Sequence, residues 1–187
     1  MPKTPKNDSV PSAVVFLEAL KQYEGIKKVE AYLEMSARAY KDPKNHEWMT
    51  SIIPHLSIVS HSSSPPHPNI VFRFDVQPIH GNGLGNLHGG CASTVFDACT
   101  TLPLHLISKP GGFWQYTGVS RTLNVTYLRP IPVGTSVDIK CEVLHAGRTQ
   151  CALRGEMRAV TKDGKDGPLL AVCEHGKANT DPPAEKL

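Results

Sequence analysis

The chain has 187 residues, 40% hydrophobic and 20% charged, with 20 Lys and Arg against 17 Asp and Glu for a net charge of +3. That length suits one domain and buries a core without disulfide or metal staples. The apolar runs fall far short of the roughly 20 residues that span a bilayer, and a small charge without a Lys/Arg block lacks the footprint of a nucleic-acid binder.

Residues 1–11 are polar and Pro-rich. A helical pattern then runs from Ser12 to Lys41, with Ile26, Val29, Leu33 and Tyr40 on one stripe and the charges mostly elsewhere. Gly25 divides it into two helices and Asp42-Pro43 stops it. A short third helix is expected over Glu47–Ile53, ended by Pro54. Its Trp48 and Met49 read either as an apolar lid or as ordinary packing onto the core.

The texture changes at Pro54. Ser57–His61 and Ile70–Val76 read as a hairpin joined through the turn-rich Ser62–Pro68. A Gly/Asn-rich loop, His80–Leu87, leads into a helix expected over His88–Ser108 and ended by Pro110-Gly111-Gly112. Pro103 should bend that helix beyond Asp97. Four strands follow, at about Tyr116–Leu128, Ser136–Ala146, Thr149–Val160 and Leu169–Ala178, and the tail from Asp181 reads as loose. The expected division is a helical extension over 1–53, one domain over 54–180 and a flexible tail over 181–187. Runs of strands around one internal helix predict an antiparallel α+β sheet.

Cys91, Cys99, Cys141, Cys151 and Cys173 are odd in number and form no C-x-x-C pair. Reduced thiols in a cytoplasmic protein are the simplest reading. The start lacks the apolar core of a secretion signal. Glu185-Lys186-Leu187 places an acidic residue where a peroxisomal address needs a small one. Peroxisomal and mitochondrial placement stay open.

The chemistry concentrates between His80 and Asp97. A glycine-rich loop entering a helix N-terminus suits an anion or oxyanion, because the first turn leaves N–H groups unpaired. It is not the dinucleotide fingerprint: Gly81 and Gly83 fit, but Asn86 stands at the third glycine. A triphosphate loop would need Gly-Lys-Ser/Thr, which is absent here.

Asn82, Gly85, His88, Gly89, Gly90 and Asp97 fit Asn-x-x-Gly-x-x-His-Gly-Gly with Asp seven residues after the second Gly. Gly118-Val119-Ser120 through Asn124–Pro130, and Gly147-Arg148-Thr149, follow in order. With these motifs the stretch from Pro54 to Ala178 resembles the hotdog-fold acyl-CoA thioesterases. The branch is that of the phenylacetate-pathway bacterial enzymes and animal thioesterase superfamily member 2. The resemblance implies a sheet of five to six strands wrapped around the central helix, and hydrolysis of acyl-CoA or acyl-carrier thioesters without metal or redox cofactor. It implies Asp97 as general base or nucleophile, Ser120 positioning the water, Asn82 supporting water or carbonyl, and the Gly89 N–H polarising the carbonyl.

Gly89 and Asp97 lie eight residues apart on one helix, about 12 Å along its axis, so they cannot touch one thioester. Two antiparallel copies of the helix would bring Gly89 of one chain to Asp97 of another. A homodimer, or a dimer of dimers, is therefore expected.

His88 reads first as a helix-start side chain bonded to loop backbone, and second as a proton-transfer group. Cys91 lies where a thiol pKa can fall, but without an evident relay. The nine histidines show no metal-ligand spacing. Ser120, Thr122, Asn124 and Thr126 make one strand face polar, either functional or merely solvated. For the coenzyme A phosphates, Arg148 in the Gly147-Arg148-Thr149 turn is the first candidate, with Arg121, Arg129 and Lys109 as helpers. Two rivals remain: another hotdog chemistry (dehydration, cyclisation or product release on a polyketide-type thioester) and a non-catalytic acyl-binding protein.

Overall fold

The computed structural model describes residues 13–41, 47–109, 112–161 and 166–181. The readings of residues 1–11, of Asp42-Pro43, of Pro110-Gly111 and of the tail beyond Asp181 lie outside them. Two helices open the described chain, α1 (Ala13–Leu20) and α2 (Gly25–Ala39). Gly25 stands between them at φ +56°, a left-handed conformation that suits glycine. On the expected stripe Val29 is buried, and Ile26, Leu33 and Tyr40 pack against the same core as the sheet.

The third helix is corrected to two 3₁₀ turns, Trp48–Ser51 and Ile53–His55. Pro54 sits in the first turn of the second, where its missing N–H costs nothing. Met49 packs on the core. Trp48 does not: it is 76% exposed, and its Nε1 donates to Thr94 Oγ1 at 3.0 Å.

Six strands form one sheet: β1 (Leu56–Ser62), β2 (Asn69–Asp75), β3 (Val119–Tyr127), β4 (Ser136–Ala146), β5 (Gln150–Val160) and β6 (Asp166–Ala178). Their order is β1-β2-β4-β5-β6-β3, every pair antiparallel. The fold is the α+β hotdog, with β3 crossing over to the far edge. β3 starts at Val119 rather than Tyr116 because Trp114, Thr117 and Gly118 all take positive φ. A Cβ on Gly118 would stand 2.2 Å from Ala178 O, so only glycine passes β6 there. Asp181 is not loose: its carboxylate accepts from the Gln115 and Tyr116 N–H groups at 2.7 and 3.0 Å.

The central helix α3 runs only from Gly89 to Thr101 and continues as a 3₁₀ turn, Leu102–Leu106. Pro103 has no N–H for an α bond, and the tighter turn begins there. Val95, Phe96 and Cys99 of α3 meet Phe72, Ile139, Cys141 and Met157 from the sheet in one buried core. The helix can lie this close because of Gly155 on β5. A Cβ there would come within 2.7 Å of Phe96 Cδ1 and 2.9 Å of Thr100 Cγ2. Gly155→Ala should therefore cost about 1–3 kcal/mol, the usual range for overpacking, read as a lower midpoint in urea unfolding. An unchanged midpoint would mean the helix has room to move.

Candidate active site

At its N-terminal end, α3 is fed by the glycine loop. Asn82 Oδ1 accepts from the Leu84 and Asn86 N–H groups at 2.9 and 3.2 Å, folding the loop upon itself. Strand-like bonds from Leu87 N to Ile131 O and from Val133 N to Gly85 O pin it to the segment that follows β3. Asn82 Nδ2 has no acceptor among the described residues and is free to donate. His88 is the helix cap: its Nδ1 accepts from Gly90 N–H at 3.0 Å. The bond goes to the helix's own first turn rather than to loop backbone. A lone pair used this way is not available to take a proton from substrate. The Gly89 N–H has no acceptor among the described residues. Over Gly89 lies Tyr127 of β3, whose hydroxyl donates to Gly89 O at 2.8 Å and lies 2.6 Å from Ser93 Oγ.

Two turns along α3, a second group of polar side chains forms. Ser120 Oγ donates to Asp97 Oδ1 at 2.7 Å. His175 Nε2 lies 2.9 Å from Ser120 Oγ and 3.3 Å from Asp97 Oδ1. Lys177 Nζ donates to the same Ser120 Oγ at 3.3 Å. Thr100 Oγ1 stands 2.7 Å from His175 Nδ1 and 2.6 Å from Phe96 O, free to serve either. The Asp97 carboxylate is 48% exposed while the His175 side chain beneath it is fully buried. A half-open carboxylate thus stands on a closed polar floor.

Burial, with Lys177 adding to it, pushes the His175 pKa down to about 4 against the opposing pull of Asp97. The ring is neutral at ordinary pH, and with its proton on Nε2 it donates to Ser120 Oγ. A serine hydroxyl has one proton and two lone pairs. The Ser120 proton is on Asp97 and its lone pairs face His175 and Lys177. Ser120 thus ties Asp97 to the buried end of β6.

The sequence reading missed His175, Lys177, Thr100 and Tyr127. A signal existed for two of them. Ala171, Cys173, His175 and Lys177 alternate as the buried face of β6, and polar residues at such positions ask for partners. Cys91 is no activated thiol, in keeping with the missing relay: burial raises its pKa.

The structure brings Asp97 and Ser120 together and leaves Asn82, His88 and Gly89 at the other end of the helix. The third group, Gly147-Arg148-Thr149, turns β4 into β5. Gly147 O accepts from Trp114 Nε1 at 2.8 Å, and Asn179 holds Arg148 O and Thr149 O. Arg148 is exposed, with its guanidinium 5.1 Å from the Phe113 ring centroid.

A family model described as the thioesterase superfamily matches residues 84–164. Mouse acyl-coenzyme A thioesterase 13 is 32% identical over 108 residues, which are 58% of this chain and 71% of that protein. Among solved structures, zebrafish thioesterase superfamily member 2 superposes with a TM-score of 0.62 at 26% identity, over 83% of this chain and 99% of that one. A thioesterase protein of Streptococcus pneumoniae, determined with coenzyme A, has a TM-score of 0.55 at 21% identity, over 68% and 87%. At that identity the last likeness shows the fold alone.

A His175 pKa near 4, below the ordinary 6.5, means the unfolded chain binds a proton that the folded chain refuses. This contribution is full above about pH 6.5 and is lost as pH falls toward 4. NMR titration should find the His175 ring neutral well below the ordinary histidine range. His175→Gln should flatten the fall of Tm on acidification. A ring that titrates at the ordinary value would contradict the buried, neutral assignment.

Proposed function

The chain belongs to the thioesterase superfamily, and from that premise we propose that it hydrolyses acyl-CoA thioesters in a site shared between two copies of itself. The observation that carries the reading is the Asp97 carboxylate, clamped through Oδ1 by Ser120 at 2.7 Å and still half open to solvent. With Oδ1 taken, Oδ2 is the oxygen left to meet a water.

In the proposed reaction Asp97 takes a proton as the water oxygen bonds to the carbonyl carbon. The carbonyl π pair moves onto oxygen, where the Gly89 N–H of the other chain and the Asn82 amide receive it. Collapse of the tetrahedral intermediate breaks the C–S bond, and the leaving thiolate takes the proton from Asp97. Free acid and coenzyme A leave, and Asp97 is ionised again. Direct attack by Asp97 on the carbonyl would use the same groups through an anhydride, so the variant below tests both.

The second copy is supported by two features. The helix rise puts Gly89 and Asp97 about 12 Å apart, and β3, which carries Ser120 and Tyr127, is an open edge strand exposed at most positions. Pairing such edges between two copies would remove an unpaired ladder and set the two α3 helices antiparallel. Arg148 suits a coenzyme A phosphate because its guanidinium is exposed yet pre-placed on the Phe113 ring. The coenzyme A in the S. pneumoniae neighbour agrees with that ligand class.

Asp97→Asn should lower kcat for acyl-CoA hydrolysis at least about a hundredfold, in line with a positioned acid–base group, while the folded spectrum persists. Thiol release from a panel of acyl-CoA chain lengths is the assay. Wild-type turnover in the variant would remove Asp97 from the chemistry.

A further inference from the structure

Lys177 is the charged side chain of the Asp97 cluster that these hydrolytic steps leave unused. It is also the only buried Lys or Arg among the described residues. Burying an ammonium is costly unless partners compensate, and an apolar side chain of that size would serve packing better. Its Nζ is spent on one contact, the Ser120 Oγ at 3.3 Å.

We propose that Lys177 is a positioning residue for the hydrolysis: its ammonium, buried beneath Ser120, occupies a Ser120 lone pair, keeps the hydroxyl proton on Asp97 Oδ1, and supplies the fixed positive charge that keeps a second cation out of the cluster. This rests on the thioesterase reading and deepens it. Lys177 acts through Ser120 and touches neither water nor substrate.

The surrounding charges agree. Facing Lys177 are Asp97 from α3, Cys151 opposite it on β5, and His175 two residues back on β6, while β3 brings the neutral Ser120. Burial lowers the Lys177 pKa, and Asp97 and Cys151 pull it back up. The same cation pushes His175 down. With Lys177 in place, the imidazole beside Asp97 stays neutral. Without it, His175 takes up a proton at higher pH, and the charged ring, 3.3 Å from Asp97 Oδ1, competes with water for the carboxylate.

The test is the pH dependence of kcat/KM for acyl-CoA hydrolysis by wild type, Lys177→Met and Lys177→Arg, each with its Tm. Lys177→Met should move the acid limb up by about one pH unit, as losing a like charge beside His175 does. It should lower kcat about tenfold or more with KM little changed, and Lys177→Arg should restore the wild-type acid limb. A merely structural lysine would change Tm without moving the limb. An unmoved limb in Lys177→Met, or a limb that moves equally in both variants, overturns the proposal. Should Lys177→Met fail to fold, the alkaline limb decides. Wild-type kcat/KM should fall as Lys177 deprotonates below the ordinary lysine value of 10.5, and Lys177→Arg should abolish that fall. A wild-type profile flat to that pH overturns the role. Inactivity of the wild type on every acyl-CoA would sink the thioesterase reading itself, a result distinct from an active wild type with indifferent Lys177 variants.

Discussion

The close approach of α3 to the sheet at Gly155 sets everything above it. With no side chain on β5 at that point, Phe96 and Thr100 lie against the strand backbone, and the next residue, Asp97, comes down within reach of β3 and β6. Thr100, one turn on, meets His175 in the same plane of contact. A helix held even one methyl group farther out would lengthen the 2.7 Å Ser120–Asp97 bond and open the polar floor to water. Packing and chemistry are here one constraint, since the contact that buries the core also closes the floor under the carboxylate.

The second constraint is length. A helix of 13 residues presents its open N–H groups at one end and its carboxylate two turns away, and no rotation of side chains closes that gap within one chain. The loop that feeds the helix is spent on its own order, with Asn82 Oδ1 and His88 Nδ1 both accepting from backbone. What remains free at that end is a set of donors: the Gly89 N–H and the Asn82 amide. What remains free at the other end is an acceptor, the second oxygen of Asp97. Donors and acceptor are complementary, and an antiparallel copy of the helix is the simplest object that joins them.

Much of this was legible in the sequence where the signal was local. The change of period at Pro54, the glycine loop, and Asp97 at motif spacing led to the sheet, the helix start and the carboxylate. What was not legible depended on pairing between distant strands. Lys177 stands beside Ser120 because β3 crosses the sheet to lie next to β6, and a separation of 57 positions in the chain gives no hint of it. The 3₁₀ turn after Thr101 was missed for a different reason. Pro103 can bend a helix or end its α bonding, and local propensity does not choose between them. His88 is a partial case: its place at the helix start suggested a side chain bonded to backbone, and the backbone it bonds is the helix's first turn.

The central claim, that Asp97 of one chain works with the helix start of another, is tested most directly by mixing two inactive variants. Asp97→Ala and Asn82→Ala chains, unfolded together and refolded, should recover up to about a quarter of wild-type thiol release. Half the dimers are then hybrids, and one of the two sites in each hybrid carries both native residues. A mixture no more active than the two variants measured separately would place Asp97 and Asn82 in the same chain's site and contradict the account.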